Sequence, residues 1–133
     1  MTGPSPNIAD LGIDPNAAVR LLPHLDSFVK WELLRFLYDN PDTPSTIGEL
    51  ARYLGRDEME LKPACRALAS AGILHQIDLG PEYAYSLARD EELRWSVGHL
   101  VERYVADHLV RLAISSQILR AHRHATRLQY AAR

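Results

Sequence analysis

Residues 46–87 read TIGELARYLGRDEMELKPACRALASAGILHQIDLGPEYAYSL, and they predict a helix, a tight turn, a second helix and a β-hairpin in that order. Thr46 can cap the first helix while Glu49 reaches back to it, which is the reciprocal arrangement of a capping box. Gly55 lies where a helix can end in the left-handed conformation, because glycine adopts positive φ at little steric cost. Asp57 is then a candidate cap for the second helix, with a glutamate three residues on.

Apolar residues in both predicted helices recur at helical spacing, which indicates one buried side on each helix. The first helix carries Ile47, Leu50, Ala51 and Leu54, and the second carries Leu61, Ala64, Cys65, Leu68 and Ala69. Pro63 conflicts with this pattern, because proline lacks the N–H group and clashes with the preceding helical turn. Either the second helix begins near Glu60, which would bring the proline into the first turn, or the helix is kinked.

A β-hairpin is predicted after Gly72, where the second helix ends. Its strands cover residues 73–79 and 82–87 on either side of Gly80-Pro81. Apolar and polar residues alternate most clearly in the second strand, as expected for a half-buried strand. The loop is short and its tip contains neither Lys nor Arg, so the hairpin is small and offers no cation at its end.

Three groups of residues in this segment carry a resemblance to a known fold family. They are Ile47-x-x-Leu50-Ala51-x-x-Leu54-Gly55, Leu61-x-x-x-Cys65-x-x-Leu68-x-x-x-Gly72-Ile73-Leu74 and Tyr85-x-Leu87. With these residues the segment resembles the winged helix-turn-helix of bacterial transcriptional regulators such as the ArsR and MarR groups. The resemblance implies a mainly α-helical fold with a small β-hairpin, namely a three-helix core plus a wing. It covers about 60 residues, including a flanking helix over residues 27–39, and assigns no subfamily.

The chain divides into four predicted segments. Residues 1–13 are rich in Pro, Gly, Asn and Ser and are predicted to form a flexible N-terminal arm. The winged-helix domain extends over residues 14–89 and opens on an Asp-Pro pair, a good cap followed by a good first helical residue. Residues 90–123 are predicted to form one long dimerisation helix, because no proline interrupts them. Residues 124–133 form a basic flexible tail.

The composition fits a single globular domain of 133 residues, with 47% hydrophobic and 24% charged residues. One cysteine is present, so an internal disulfide is excluded, and Cys65 is interpreted as a small buried hydrophobe. The N-terminus carries no secretory pattern, and no run of about 18 apolar residues could span a membrane. We therefore expect a cytoplasmic protein without a membrane partner.

The predicted long helix is apolar on more than one side between Tyr104 and Leu119. A helix with apolar residues nearly all round must be covered on several sides, and the core of one chain covers only one of them. We therefore expect an isologous homodimer with a two-fold axis through this helix. The predicted interface residues are Leu93, Val97, Leu100, Val101, Tyr104, Val105, His108, Leu112 and Leu119.

The resemblance also implies DNA binding, with the second helix of the motif in the major groove and the wing on the backbone. Lys62 and Arg66 lie off the apolar stripe of that helix and are expected to face outward. Arg66 could contact a guanine or a phosphate through two of its guanidinium nitrogens. Hydroxyl groups at the start of the first motif helix could hold a phosphate. The predicted DNA contacts are Ser45, Thr46, Arg52, Arg56, Lys62 and Arg66.

The charge of the motif favours a second hypothesis, a winged helix that binds protein. Residues 56–89 contain four Lys/Arg and five Asp/Glu, whereas DNA affinity depends largely on neutralised phosphates. The outward face of helix 57–71, with Met59 and Pro63 among its residues, is poor in groups that hydrogen-bond to base edges. Double-stranded DNA and a protein partner on this face therefore remain alternatives.

The charge distribution also singles out the C-terminal end. Residues 111–133 contain five of the 15 Lys/Arg and none of the 17 Asp/Glu, although the whole chain has a formal charge of −2. Such an asymmetry is typical of a phosphate-binding tail. A solubilising tail that also complements the helix dipole is the alternative interpretation.

No pattern in the sequence predicts an enzyme, since a Gly-rich phosphate loop, a nucleophile elbow and a frame of paired carboxylates are all missing. The pairs that could supply metal ligands are His99-x-x-Glu102, Asp107-His108 and His122-x-His124. Adjacent residues do not share a helical face, and no Cys pair is present. We therefore expect neither a metal nor a cofactor.

Overall fold

The structure is a computed structural model that describes the backbone of residues 8–131 and the side chains of residues 10–128. The outer parts of the predicted arm and tail, residues 1–7 and 132–133, lie outside the described residues. The chain forms two compact units. One contains the described residues up to Phe28 and those from Trp95 onward, and the other contains Val29–Arg94.

Helices make up most of the described chain, and one small antiparallel sheet accompanies them. Among the described residues, no helix is both long and apolar enough to cross a bilayer. The helices are α1 (Pro15–Leu21), α2 (Phe28–Asp39), α3 (Ile47–Leu54), α4 (Glu58–Ser70), α5 (Glu91–Ala106) and α6 (His108–Ala131). The strands are β1 (Ser45–Thr46), β2 (Leu74–Asp78) and β3 (Tyr83–Leu87), and two 3-10 turns cover Ile8–Leu11 and Leu22–His24.

The predicted helix–turn–helix is present, with the caps that the sequence indicated. The Thr46 hydroxyl accepts a hydrogen bond from the Glu49 N–H at 3.2 Å, and the Glu49 carboxylate accepts one from the Thr46 N–H at 3.1 Å. Gly55 ends α3 with φ of 64°, a conformation that a side chain would strain. Asp57 caps α4 by accepting a hydrogen bond from the Met59 N–H at 2.9 Å. These contacts fix where both helices begin and where the first one ends.

α4 begins at Glu58, so the predicted start near Glu60 is wrong and Pro63 lies inside the helix. The missing N–H of this proline would have bonded the carbonyl one turn earlier, at Met59. Both residues are exposed, so water can solvate the carbonyl group that loses its partner. The proline is therefore tolerated on the outer side of the helix.

The sheet has the strand order β1-β3-β2, with both pairs antiparallel. The predicted hairpin is formed by β2 and β3, which pair Leu74 with Leu87 at one end and Asp78 with Tyr83 at the other. β1 was not predicted, because two residues are too few to show an alternating pattern. It pairs Ser45 with Tyr85 and so ties the start of α3 to the hairpin.

The core of the Val29–Arg94 unit is built from the apolar stripes of its three helices and from the hairpin. A fully buried Leu or Phe side chain contributes about 1.5–3 kcal/mol relative to an exposed one. Burial on this scale anchors the inner side of α4 to the core. The outer side of the helix stays exposed. The buried side chains include Trp31, Leu33, Leu34, Leu37, Leu50, Leu61, Cys65, Leu68, Leu74, Tyr85 and Leu87.

The predicted single C-terminal helix is divided at Asp107 into α5 and α6. The Asp107 carboxylate accepts a hydrogen bond from the Leu109 N–H at 2.9 Å, so this residue caps α6. Arg103 donates to the same carboxylate at 3.0 Å. α6 then continues to Ala131, so the described part of the predicted flexible tail is helical rather than irregular.

The inner part of the predicted arm is bound to α5 within its own unit. Asp14 caps α1 by accepting from the Ala17 N–H at 3.0 Å, as the sequence indicated. The Asp14 N–H donates to His99 Nε2 at 2.8 Å, and Arg103 donates to the Leu11 carbonyl at 2.7 Å. Ile13 is buried between these two attachments. The arm is therefore anchored close to where α1 begins.

Candidate nucleic-acid interface

A groove of about 400 Å³ lies between α4, the first residues of α3 and the hairpin. We call it the α4–wing groove. All of its residues belong to the Val29–Arg94 unit. It is lined by Ile47, Gly48, Glu58, Met59, Lys62, Arg66, Pro81, Glu82, Tyr83 and Tyr85.

Lys62 and Arg66 are exposed and both line this groove. They are four residues apart on α4, so their side chains are neighbours on one face of the helix. Leu61, Cys65 and Leu68 are buried on the opposite side. The expected outward placement of both cations is therefore observed.

Two carboxylates share the groove with these two cations. Glu58 and Glu82 both line it, so its formal charges cancel. A Cβ built on Gly48 would lie 3.5 Å from the Glu58 carboxylate, which therefore lies beside the first turn of α3. A carboxylate is favourable at that end of the helix dipole. It also places negative charge where a phosphate would approach.

Arg56, a predicted DNA contact, is held by carboxylates of two helices. Its Nε lies 2.7 Å from Glu32 Oε2, and its Nη2 lies 2.9 Å from Glu32 Oε1. A weaker contact of 3.4 Å joins Nη1 to Glu60. The hydrogen bonds with Glu32 raise the pKa of Arg56, and the same hydrogen bonds lower the pKa of Glu32. Arg56 thus connects α2 to the start of α4.

Two other predicted contacts also have roles inside the protein. Ser45 is only 4% exposed and lies in β1, so it offers almost no surface to a ligand. The Thr46 hydroxyl is occupied by the capping box, where it also donates to Glu49 at 3.1 Å. Of the six predicted DNA contacts, Arg52, Lys62 and Arg66 remain exposed.

The pair between Glu32 and Arg56 gives the protein an acid-dependent contribution to stability. The folded-state pKa of Glu32 is lowered, so this contribution is present above its ordinary pKa of 4.5 and is lost as pH falls through the lowered value. We expect Glu32→Gln to unfold with up to about 1 kcal/mol less free energy at about pH 7, because the pair is partly exposed. Urea titrations across the pH range should show this difference closing below about pH 4. A difference that grows on acidification would contradict the assignment.

The residues predicted for a dimer interface fall into two groups. Leu93, Val97, Leu100 and Val101 are buried within the single chain, so they have no surface left for a partner. Val105, His108, Leu112 and Leu119 are exposed, and Tyr104 is partly exposed. An interface between copies would therefore use the second group.

An apolar stripe follows the exposed side of α6. Leu109, Leu112 and Leu119 are exposed, and with Ser116 they recur at alternating steps of three and four residues. We call these four residues the outer face of α6. This spacing keeps side chains on one side of a helix. Leu109 was not among the predicted interface residues, although its spacing from Leu112 signals this position. On the opposite side of α6, three apolar side chains are buried, namely Val110, Ile114 and Ile118.

Cys65 and His99 are both involved in packing or hydrogen bonding within the chain. Burial raises the pKa of Cys65 to about 12, so the thiol stays protonated near neutral pH. His99 accepts a hydrogen bond from Asp14 and stacks on Trp95 with ring centres 4.9 Å apart. Across the described residues, no three His, Cys, Asp or Glu side chains are grouped so that they could hold a metal ion.

Comparison with known proteins bears on the fold. The sequence matches no protein-family model, and no curated protein is significantly similar to it. A solved structure, reduced HlyU from Vibrio cholerae N16961, matches with a TM-score of 0.54 over 69% of this chain and 92% of HlyU, at 21% sequence identity. The fold is a winged helix. The predicted fold class, mainly α-helical with a small hairpin, is thereby confirmed. The β2–β3 hairpin is the wing of this fold, and α4 is the second helix of its helix-turn-helix.

Proposed function

We propose that this winged-helix protein is a transcriptional regulator that binds duplex DNA as a homodimer. The observation that carries the proposal is the pair of exposed cations, Lys62 and Arg66, one helical turn apart on the open side of α4. α4 has 13 residues and is about 20 Å long, so it fits into a major groove. The buried side of α4 fixes the helix to the core, and the exposed side remains available to contact DNA.

The two cations would have different roles. Arg66 carries a planar fork of donors that matches the two acceptors of a guanine edge or a phosphate. Lys62 is one turn closer to the N-terminus of α4 and acts as a point charge for a backbone phosphate. Arg52, exposed on α3, would add a second backbone contact. Glu58 and Glu82 oppose these contacts and limit the affinity for non-specific DNA.

The outer face of α6 supports the homodimer. Its leucines expose apolar surface on the side of the helix that faces away from the chain's own buried stripe. A second copy of the same face covers this surface symmetrically, as in an isologous interface. Two recognition helices brought together in this way would read half-sites about 34 Å apart.

Fluorescence anisotropy of a labelled mixed-sequence duplex tests the DNA-binding proposal. We expect binding that weakens steeply between about 50 and about 200 mM salt, because released counterions drive it. The variants Lys62→Gln and Arg66→Gln should each lower the slope of log K against log salt by about 1. Arg66→Lys is the charge-matched control and should keep the slope. Absence of binding at the lower salt concentration, or variants that leave the slope unchanged, would refute the proposal.

A protein-interaction module is the second candidate function. It is favoured by the balanced charges of the α4–wing groove and by the exposed apolar side chains beside them, Met59 and Tyr83. Such a surface suits a peptide segment that carries both charge signs better than it suits a polyanion. No duplex binding by the wild-type protein at about 50 mM salt, where phosphate contacts are strong, would favour this candidate.

A further inference from the structure

We propose that the C-terminal half of α6 carries a separate phosphate-binding surface for duplex DNA, formed by Arg120, Arg123 and Arg127. We call these three residues the arginine face. The inference rests on the proposed DNA-binding function and adds a second site to it. The α4–wing groove is formed by residues of the other compact unit.

The three arginines share one side of the helix. Steps of three and four residues return to nearly the same direction on a helix with 3.6 residues per turn. From Arg120 to Arg127 the axis advances by about 10 Å, whereas each DNA strand carries a phosphate about every 3.4 Å along the duplex. Each guanidinium group can therefore contact a different phosphate.

Nothing in the described part of the chain neutralises these charges. All three side chains are exposed, and none forms a hydrogen bond or ion pair with another described residue. The sequence contains no Asp or Glu from His108 onward. The preceding acid, Asp107, is already bound to the Leu109 N–H and to Arg103. A polyanion thus meets three cations without first breaking an internal contact.

The distribution of apolar residues favours DNA over an anionic membrane. A helix that lies in a membrane surface has its charged and apolar sides opposite each other around the axis. On α6 the side opposite the arginine face carries Ile114 and Ile118, which are buried in the chain's own unit. The exposed leucines of the outer face precede the arginines along α6 and lie on the same side of the helix. These leucines therefore cannot insert into lipid while the arginines contact the headgroups.

The charge of the α4–wing groove gives a second reason for DNA. Two carboxylates offset its two cations, although DNA affinity arises mainly from phosphates that the protein neutralises. Three further cations on α6 would supply phosphate contacts that carry no sequence information. Such contacts position a protein on the duplex, whereas contacts to base edges select the sequence.

Salt-dependent anisotropy of the full chain with the arginine face removed tests this inference. The triple variant Arg120→Gln/Arg123→Gln/Arg127→Gln should bind the duplex on the order of 10²-fold more weakly at about 0.1 M salt, with the slope lowered by about 3 per chain. The triple lysine variant at the same positions keeps the charge and should keep the slope. Circular dichroism and sedimentation of each variant should match the wild type.

Each remaining outcome separates this inference from the proposal for α4. If Lys62→Gln and Arg66→Gln have no effect while the arginine triple loses binding, the arginine face stands and reading by α4 fails. The reverse result retains α4 and overturns the arginine face. Equal loss of slope in the glutamine and lysine triples would also overturn it, because charge would then not be the cause. Binding to vesicles of phosphatidylcholine and phosphatidylserine without duplex binding would overturn both and would identify a membrane surface.

Discussion

Replacing Leu112 and Leu119 together by aspartate is expected to convert the proposed homodimer into a monomer. The mass in sedimentation should fall from twice the chain mass to the 15.0 kDa of one chain. Both residues belong to the outer face of α6, where each carboxylate would be buried against the partner without a counter-charge. Burying an unpaired charge costs several kcal/mol, and about 1.4 kcal/mol corresponds to a tenfold loss of affinity. The dimer should therefore weaken by more than about 100-fold.

Leu128→Asp provides the matched control for this variant. Leu128 is 57% exposed and Leu112 is 52% exposed, so both positions tolerate a charge in the isolated chain. Leu128 lies about 160° around the helix from Leu112, away from the outer face. The control should remain dimeric. A wild-type protein that sediments as a monomer, or a double variant that stays dimeric, would rule out the outer face as the interface.

Leu68→Ala is expected to have the largest effect on stability. Leu68 is fully buried at 0% exposure, and its side chain fixes α4 to the core of the Val29–Arg94 unit. Truncating a buried leucine removes transfer free energy and leaves a cavity, which together cost about 2–5 kcal/mol. Denaturant titration followed by circular dichroism should show this loss in the free energy of unfolding.

Met59→Ala is the control on the same helix. Met59 is 82% exposed, so its truncation should change the free energy of unfolding by less than about 0.5 kcal/mol. The contrast tests whether α4 has one anchored side and one free side. If both variants lost the same free energy, α4 would be covered on its outer side as well, and it could not enter a DNA groove.

Local interactions explain why the helix–turn–helix could be predicted from the sequence. The capping box of Thr46 and Glu49 joins residues three positions apart, so the pattern that encodes it is visible in a short window. Gly55 and Asp57 act within a residue or two of their own positions. Helical and strand periodicities are likewise local. They predict the apolar stripes of α3 and α4 and the two strands of the hairpin.

Contacts between distant residues could not be predicted in the same way. Arg56 was interpreted as a phosphate contact because nothing near it in sequence reveals Glu32, which lies 24 residues earlier. Ser45 is predicted to contact DNA because its pairing with Tyr85, which depends on how the hairpin folds back, is not visible in the sequence. In both cases the residue type was suitable for DNA, and a partner far along the chain gave it another role.

The interface prediction illustrates a related limit. Periodicity identifies which residues of a helix need cover, but it does not identify what covers them. Leu93, Val97 and Leu100 are covered by their own chain, whereas Leu109 and Leu112 are not. The dividing residue, Asp107, also escaped prediction, since an aspartate within a helical pattern reveals a cap only through its hydrogen bond to Leu109.

The cap at Asp107 has a consequence for how the C-terminal end can vary between related chains. In an uninterrupted helix, inserting one residue rotates everything beyond it by about 100°. α6 instead starts from its own cap, so a change in length at this junction can be absorbed there without altering the spacing of the leucines or the arginines that follow. The register of the last helix is therefore set at its own start and does not depend on the length of α5 before it.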